Sequence, residues 1–427
     1  AVLKTLPAIE LWQRIAKAAH RCADPGLQFH DTINKWNPCA QTDQIYGSNP
    51  CSEFMFLNDT SCNLASINLI HFLDEDNNFR LEEFQHTIKI IFLAQELLID
   101  FSKYPTEKIG VNSHNFRPLG LGFTNLGSFF LKLGIGYDSD TARSWASFIT
   151  SLMTSEAYIS SHQFAKIRGP FKYYKKNKKS FTRVMKQHAK ENDKIQWTLL
   201  PTQFKEVCRA NWSEIVKYAS GRGFRNAQAT VIAPTGTISF FMNAETTGIE
   251  PEFSFIKYKN LVTGKKDGAG VKVKFVNQYF EEALKTLGYT PTEIESIKAK
   301  LLNTGYLDEK LLKNPTHKKV FQTAVGADPI SPEAHLKMMA AVQPFVSGAI
   351  SKTINLPSRS TIEDVQNAYY SAWKLGLKSV AIYRDKSKLA QPLEALEGPK
   401  CGDCNSPTEL RGGCFVCLNC GTSIACG

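Results

Sequence analysis

The sequence lacks any run of about eighteen consecutive apolar residues, so it predicts no transmembrane helix and no membrane attachment. Its first residues, Ala1 to Pro7, contain neither an initiator methionine nor the layout of a secretory signal. We therefore expect a fragment or a processed product of a longer protein.

Cysteine is sparse over most of the chain. The total of 11 is odd, and there is no secretion signal, which argues against a disulfide scaffold. The pattern favours reduced thiols with metal or redox roles in a cytoplasmic protein. Five cysteines are scattered: Cys22, Cys39, Cys51, Cys62 and Cys208.

Acidic residues do not balance the basic ones, and the net charge is +11. Much of the excess lies in the run from Lys172 to Lys190. This run is typical of a solvated, lysine-rich surface, and the alternative is a patch that attracts polyanions. The run lacks regularly spaced aromatic residues, which argues against a nucleic-acid groove.

Strand patterns alternate with helix patterns, which favours a parallel α/β sheet or barrel. A glycine- and lysine-rich segment at 258–275 predicts a flexible excursion. The main predicted helices are 5–20, 81–102 and 140–167, and the main predicted strands are 61–70, 228–233, 350–356 and 378–383.

The segment from Ser48 to Glu53 carries an amide, a thiol and a carboxylate at alternate positions, Asn49, Cys51 and Glu53. On an extended loop such residues project to one side and can share a pocket. Cys62 stands at the start of the next predicted strand. Taken alone, these residues favour a structural role, because a lone cysteine is more often a core residue than a catalyst.

The predicted strand 228–233 runs into Pro234-Thr-Gly-Thr-Ile-Ser239. A strand that ends in a turn rich in small and hydroxyl residues can hold phosphate through N–H and O–H groups. The turn lacks the Gly-Lys-Ser/Thr ending of a Walker A loop, and an ordinary turn is the alternative. The candidate phosphate ligands are Thr235, Gly236, Thr237, Ile238 and Ser239.

A proline- and glycine-containing linker at 391–400 precedes a cysteine cluster at 401–427. Two Cys-x-x-Cys pairs predict a zinc ribbon. Cys414 and Cys426 are left over, and they are either a redox pair or a replacement for one of the ligands. The expected zinc ligands are Cys401, Cys404, Cys417 and Cys420.

Several segments, taken in order, resemble the catalytic subunit of ribonucleotide reductase. The cysteine-rich tail resembles that of the adenosylcobalamin-dependent, class II branch. The segments are Asn49–Leu57, Cys62–Leu69, Arg117–Gly122, Ala233–Ser239, Thr246–Pro251, Ala341–Phe345 and Ser351–Pro357.

The resemblance implies an α/β fold, the ten-stranded barrel of that family, which consists of two five-stranded halves around a central finger loop. The chain begins just before the finger loop, at 47–60, so we expect residues 1–390 to form only the second half. The first half, which holds one of the two reducing cysteines, is then expected as an N-terminal partner.

The resemblance also implies roles for the residues. Cys51 is the expected thiyl radical that takes the 3′-hydrogen, Glu53 the base for the 3′-hydroxyl, and Asn49 the group that orients the sugar. Cys62 is expected to be half of the reducing dithiol, with its partner upstream. Residues 235–239 are expected to bind the substrate phosphates, and Cys414 and Cys426 to pass reducing equivalents.

Class I members of the family bring in a radical along two adjacent tyrosines on the last strand. Here that strand has only Tyr383, and the pair Tyr369-Tyr370 lies on the preceding predicted helix. This favours a radical generated locally by adenosylcobalamin. The alternatives are a class I large subunit with a radical-carrying partner subunit and, from another class, a basic zinc-ribbon protein that binds nucleic acid.

The resemblance implies a set of ligands and partners as well. We expect a ribonucleotide substrate, adenosylcobalamin, zinc in the ribbon, a thioredoxin-like or other dithiol reductant, and a second copy of the chain in a homodimer.

Overall fold

The structure is a computed structural model that describes residues 4–261, 271–305, 307–326, 328–385, 387–388, 408–411, 414–417 and 422–424. The chain forms two compact units. The first unit comprises Ala1–Leu126, Asp138–Glu250 and Pro332–Ser387. The second comprises Gly127–Tyr137, Pro251–Ser331 and Lys388–Gly427.

One or more helices separate successive parallel strands of the first unit, and the content is mixed α/β, as the sequence predicts. The helices are α1 Ala8–Cys22, α2 His30–Lys35, α3 Leu81–Phe101, α4 Glu107–Phe116, α5 Leu126–Lys132, α6 Asp140–Arg168, α7 Tyr174–Asn192, α8 Thr202–Ser220, α9 Gly236–Phe241, α10 Tyr279–Thr286, α11 Pro291–Thr304, α12 Pro332–Val342 and α13 Ile362–Lys374. The strands are β1 Leu27–Gln28, β2 Asn63–Asn68, β3 Leu119–Thr124, β4 Ile256–Leu261, β5 Val271–Val276, β6 Thr353–Leu356, β7 Ser379–Arg384, β8 Thr408–Arg411, β9 Cys414–Cys417 and β10 Ser423–Ile424.

Parallel strand segments of the first unit lie side by side in chain order. β2 pairs with β3 in parallel, and β3 is bridged in parallel to the segment around Thr230. That segment is bridged through Ile232 to Ile350, just before β6, and β6 pairs in parallel with β7. The short β1 covers the other edge of β7 in the antiparallel sense. Five consecutive parallel segments therefore form the centre of this unit.

Every residue of β3 is buried, and its glycines allow close packing on both sides. A Cβ atom on Gly120 would lie 2.5 Å from Leu64 Cδ2, 3.1 Å from Val231 Cγ2 and 3.3 Å from Cys62 Sγ. A larger residue would therefore displace the neighbouring strands. Gly120 thus allows the Cys62 thiol to lie directly against β3.

A buried ionic network fixes the start of β3 against α3. Arg117, in the left-handed backbone region with φ 48°, donates from Nε to Glu96 Oε1 at 2.6 Å and from Nη1 to Asp100 Oδ1 at 2.7 Å. Arg225 Nε donates to the same Glu96 oxygen at 2.8 Å, and Asn226 Nδ2 donates to Glu96 Oε2 at 2.6 Å. Because the buried Glu96 carboxylate has several charged and polar donors, its burial is compensated.

The second unit has its own apolar core and contains the antiparallel pair β4–β5. The predicted flexible excursion at 258–275 is therefore wrong for the residues in β4 and β5, and residues 262–270 lie outside the described part. The core residues are Leu131, Phe255, Ile256, Phe280, Ala283, Leu284, Tyr289, Ile294, Ile297, Leu301 and Phe321.

In the C-terminal tail, the backbone of β9 pairs on both sides, with β8 and with β10. Cys414 and Cys417 are the two ends of β9. The other four tail cysteines, Cys401, Cys404, Cys420 and Cys426, and the linker 391–400 lie outside the described residues.

Among the helices described above, none is long and apolar enough to cross a membrane.

Candidate functional site

The segment that carries the predicted catalytic residues is a tight turn. Asn49 closes this turn with two hydrogen bonds. Its side-chain Oδ1 accepts from the Phe54 N–H at 2.9 Å, and its carbonyl accepts from the Ser52 N–H at 3.0 Å. Ser52 has a φ of 66°. The expectation of an extended loop is therefore wrong: Cys51 is exposed at the turn, whereas Glu53 is buried.

The turn is held from two sides. Gln28 in β1 donates from Nε2 to Ser48 Oγ at 2.6 Å and to Ser52 Oγ at 3.0 Å. On the other side, the Ala349 N–H donates to the Glu53 carbonyl oxygen at 2.8 Å. A Cβ atom on Gly348 would lie 3.0 Å from that same carbonyl oxygen, so a glycine is required for this close approach.

Glu53 is the residue whose charge affects both the Cys51 and the Cys62 thiol. Its side chain is 2% exposed, and Oε2 has no hydrogen-bond partner in the part of the chain that the structure describes. Its charge acts on two thiols. Burial, and after it the Glu53 charge, raises the pKa of Cys51, and the same two causes raise the pKa of Cys62 to about 12. The structure thus brings Cys51, Glu53 and Cys62 together, with Asn49 closing the turn.

These pKa shifts determine which chemistry the thiols can perform. Thiolate is the form that acts as a nucleophile or a metal ligand, and a raised pKa keeps both thiols protonated near neutral pH. An S–H group can transfer a hydrogen atom, or release a proton after oxidation. All five cysteines before the tail are free thiols, which agrees with the prediction of reduced cysteines.

In the turn that follows the segment around Thr230, the buried polar side chains form hydrogen bonds within the protein. The Thr235 hydroxyl lies 2.8 Å from Thr124 Oγ1 and accepts from Ser239 Oγ at 3.1 Å and from the Gly248 N–H at 2.8 Å. Thr235 and Ser239 are buried, whereas residues 236–238 are exposed. The two buried hydroxyls are therefore engaged within the protein, and the exposed residues 236–238 form the first turn of α9, so the predicted turn is the start of a short helix.

Sequence reasoning missed a polar cluster at the carboxyl ends of β2 and β3, to which this turn is attached. Asn125 Nδ2 donates to Asn68 Oδ1 at 3.0 Å, and Asn125 Oδ1 accepts from the Thr246 N–H at 3.1 Å. Carboxyl ends of parallel strands are common ligand sites, and this was the available signal. Cys62 precedes the first residue of β2, so the thiol and the turn are attached at opposite ends of that strand.

Sequence reasoning also missed Lys378, at the start of β7. Its ammonium is buried, donates to the Gly348 carbonyl and lies 3.5 Å from the Ser347 carbonyl oxygen. It also lies 5.9 Å from the centroid of the Trp36 ring. Burial lowers the pKa of Lys378 to about 7. Lys378 therefore holds the backbone immediately before Ala349, the residue that binds the Glu53 carbonyl.

The tyrosines of the last helix and strand lie as the sequence predicts. Tyr369 and Tyr370 are in α13, and Tyr383 is in β7. The buried Tyr369 donates its hydroxyl to the Pro25 carbonyl at 2.7 Å, and Tyr370 is exposed. The last strand thus carries a single tyrosine.

Within the described ranges, no group of three or more histidine, cysteine, aspartate or glutamate side chains could hold a metal ion. The side chains of the predicted zinc ligands lie outside the described part of the chain. The zinc ribbon stays a prediction.

Comparison with known proteins places this chain in a family. Residues 1–383 match the family model "Ribonucleotide reductase, barrel domain". Similar proteins include the vitamin B12-dependent ribonucleotide reductases of Streptomyces coelicolor, 44% identical over 399 residues, and of Rhodopirellula baltica, 46% identical over 390 residues. The vitamin B12-dependent ribonucleoside-diphosphate reductase of Mycobacterium tuberculosis is 31% identical over 413 residues.

These matches cover most of this chain but only part of each relative. They include 92%, 90% and 97% of the chain, and 41%, 37% and 52% of the three relatives in the same order. The chain therefore spans about half the length of these relatives or less. Since the family model matches far more than half of the chain, the chain belongs to the ribonucleotide reductase barrel-domain family.

Proposed function

We propose that the chain carries the catalytic centre of an adenosylcobalamin-dependent ribonucleotide reductase, which converts ribonucleotides to 2′-deoxyribonucleotides as DNA precursors. The observation that carries the proposal is the buried Glu53 carboxylate, whose charge acts on the two thiols of Cys51 and Cys62. In a chain of this family, this arrangement provides a base between a hydrogen-abstracting thiol and a reducing thiol.

The first half of the proposed reaction uses the side chains of the turn at Asn49–Glu53. A radical on Cys51 Sγ takes the hydrogen atom from C3′, which forms an S–H bond and leaves the unpaired electron on C3′. Glu53 Oε2 accepts the 3′-hydroxyl proton, and the 2′-hydroxyl takes up a proton and leaves as water. Asn49 orients the sugar through its Nδ2 amide, because its Oδ1 already accepts from the Phe54 N–H.

The second half uses a dithiol. Cys62 and a cysteine of the proposed N-terminal half supply two electrons and two protons and become a disulfide. One proton leaves with the water, and a hydrogen atom forms the new C2′–H bond. The remaining electron, with the proton that Glu53 returns, restores the 3′-hydroxyl and the radical at C3′. Cys51 then returns its hydrogen atom to C3′ and recovers the radical. An external dithiol or thioredoxin-like protein reduces the disulfide by exchange, through Cys414 and Cys426 as the proposed relay.

The substrate phosphates are proposed to bind at residues 235–239. Since the Thr235 and Ser239 hydroxyls are engaged with Thr124, the binding groups are the backbone N–H groups of 236–238 and the exposed Thr237 hydroxyl. The buried hydroxyls hold the turn in shape.

When bound, adenosylcobalamin would supply the radical chemistry that oxidises the Cys51 thiol. The exposed Cys51 thiol fits this requirement, because a group outside the turn can reach it. The alternative of a class I large subunit is not supported, because the relatives are named as vitamin B12-dependent and the last strand carries Tyr383 alone. The alternative of a zinc-ribbon nucleic-acid-binding protein is not supported either, since the family model matches residues 1–383.

The barrel itself is proposed to be completed by another polypeptide segment. The five parallel segments of the first unit provide half of the ten strands that the family fold requires. β2 has β3 as its only paired strand among the described residues, so its other edge is available to the N-terminal half. A homodimer is the proposed assembly of the complete enzyme.

The experiment that tests the proposal is a turnover assay with adenosylcobalamin and a dithiol. Ribonucleoside di- and triphosphates are supplied as substrates, with and without an N-terminal half added as a separate polypeptide. Deoxynucleotide formation is expected only when both halves are present. Absence of product with both halves, cofactor and reductant would refute the proposal.

The tail at 401–427 is proposed to bind one zinc ion through Cys401, Cys404, Cys417 and Cys420. Cys417→Ser is expected to release this zinc, whereas Cys414→Ser retains it, and Cys22→Ser is the control. Metal content by mass spectrometry measures the result. An unchanged zinc content in Cys417→Ser would count against the ribbon, and zinc loss in Cys414→Ser would revise the choice of ligands.

A further inference from the structure

The outer face of α7 forms a shallow basic groove of about 840 Å³, which we call the α7 groove. Ten residues line it, and seven of them are lysine or arginine, from Lys175 to Lys190. The other three are Thr182, Gln187 and Ser220, so every lining side chain carries a hydrogen-bond donor. The lining contains neither a carboxylate nor an apolar side chain.

The opposite face of α7 packs into the first unit through residues that include Phe181, Val184 and Met185. The lysines are therefore presented outward by a helix whose orientation is fixed. Arg183 is fixed as well, since it donates from Nη1 to the Lys35 carbonyl at 2.5 Å and to Gln187 Oε1 at 2.7 Å. The helix backbone and Arg183 are thus held in place before a ligand binds, whereas the lysine side chains are flexible.

The positive charges of the groove are not neutralised within the described part of the protein. None of its six lysines lies within ion-pair distance of a carboxylate there, and the nearby Glu191 pairs with Lys194, outside the lining, at 2.7 Å. Lysines four positions apart, such as Lys175 and Lys179, repel each other. A polyanion in the groove would relieve this repulsion and release its own counterions.

The residue types in the lining indicate which class of polyanion the groove can bind. Protein interfaces are depleted in lysine and depend on aromatic or apolar anchors, which the groove lacks. Single-stranded nucleic acid is bound largely by stacking on aromatic side chains, and the groove has none. The sequence argument against a nucleic-acid groove therefore applies to single strands, which are bound by stacking. Duplex nucleic acid requires only donors for its phosphates, which the groove supplies.

We propose that the α7 groove binds the phosphate backbone of double-stranded nucleic acid without sequence preference. Lys175 and Lys190 are separated by about 22 Å along the helix, which matches about six base pairs of duplex. Phosphate contacts carry no direct sequence information. None of the residues assigned to the reductase centre lines the groove, so this proposal is independent of the proposed function.

The test compares two triple variants of the full chain with equal net charge. Lys175→Gln, Lys179→Gln and Lys186→Gln remove three charges from the groove. Lys17→Gln, Lys103→Gln and Lys285→Gln remove three exposed charges elsewhere that form no ion pair in the described structure. Glutamine has nearly the helix propensity of lysine, so both variants are expected to fold, and thermal melting checks this.

Binding is measured by fluorescence anisotropy with a labelled duplex of about 20 base pairs over a series of salt concentrations. The groove variant is expected to bind at least 10-fold more weakly at low salt. The slope of log K against log salt is expected to become shallower by about 2 to 3, since each phosphate contact contributes about 0.9. The control variant is expected to retain the wild-type slope and affinity to within a factor of two to three.

Three results would overturn the proposal. The first is equal affinity of the groove variant and the control variant for duplex. The second is tighter binding of single-stranded DNA or of poly-glutamate than of duplex, which would indicate another class of ligand. The third is displacement of the duplex by inorganic triphosphate at equal phosphate concentration, which would indicate a site for small polyphosphates.

Discussion

The turn at Asn49–Glu53 and the turn at Thr235–Ser239 use their polar side chains in opposite ways. At the first turn the reactive groups are left available: the Cys51 thiol is exposed, and Glu53 Oε2 has no partner in the described part of the chain. At the second turn the Thr235 and Ser239 hydroxyls are both bound by Thr124.

This difference separates chemistry from positioning. A side chain that acts on a substrate must keep its hydrogen-bonding groups free. A side chain that shapes a backbone anion site uses those groups for hydrogen bonds within the protein. We therefore expect changes at the first turn to affect the rate of the chemical step. Changes at the second turn are expected to affect substrate binding and stability.

The largest effect is expected for Cys51→Ala. Loss of the group that exchanges hydrogen with C3′ is expected to lower kcat by on the order of 10⁴-fold or more, without unfolding the chain. The assay is deoxynucleotide formation with both halves, adenosylcobalamin and dithiol. Cys22→Ala is the matched control, because Cys22 is also an exposed free thiol, and its turnover is expected to be unchanged. Retained turnover in Cys51→Ala would refute the radical role.

A smaller effect is expected for Thr124→Val, which removes the hydroxyl 2.8 Å from Thr235 Oγ1 and 3.0 Å from the Gly248 N–H. The buried groups left unpaired are expected to cost about 1–3 kcal/mol of unfolding free energy. KM is expected to rise more than kcat falls.

Thr182→Val is the control for that change, because the Thr182 hydroxyl donates to the Ala219 carbonyl at 3.0 Å, away from the turn. It is expected to leave KM unchanged. A fall in kcat without a change in KM for Thr124→Val would contradict a purely positioning role for the turn.

The third effect concerns pH and Lys378, behind the first turn. Its pKa falls from 10.5 to about 7 on burial, so the unfolded chain binds more protons between these values. The free energy of unfolding therefore gains, as pH rises through this window, up to about 1.4 kcal/mol per pH unit from this one group. In Lys378→Met this contribution is absent.

Denaturant titrations of both proteins at pH 7, 8 and 9 measure the difference in their unfolding free energies. Buried cysteines titrate in both proteins, so their contribution cancels from the difference. The difference is expected to rise with pH in favour of the wild type. If the difference in unfolding free energy does not change with pH, Lys378 is not held in a buried, weakly basic state.

Local pattern accounts for much of what could be predicted. The 3.6-residue periodicity places α3 and α6 within about one residue, and strand alternation predicts β2. The residue types at Asn49, Cys51 and Glu53 single out the turn that carries the candidate site. These features depend on residues that are close together in sequence.

What could not be predicted depends on contacts between distant segments. The Glu53 carbonyl accepts from the Ala349 N–H, which lies far away in sequence, and the Thr235 hydroxyl is engaged because Thr124 ends a neighbouring strand. Lys378 is predicted to lie in a strand, but its burial follows from packing against Trp36 and the Gly348 carbonyl. Spacing in one sequence does not reveal these partners.

The central claim is that one carboxylate, Glu53, acts on both Cys51 and Cys62, and thiol alkylation tests it without cofactor or partner. Iodoacetamide reacts with thiolate, so lower pKa values speed the reaction. In Glu53→Gln we expect Cys51 and Cys62 to be alkylated faster at pH 8 than in the wild type, as measured by mass spectrometry. The exposed Cys22 is expected to keep its rate. Unchanged rates at both thiols, or equal acceleration of Cys22, would contradict the account.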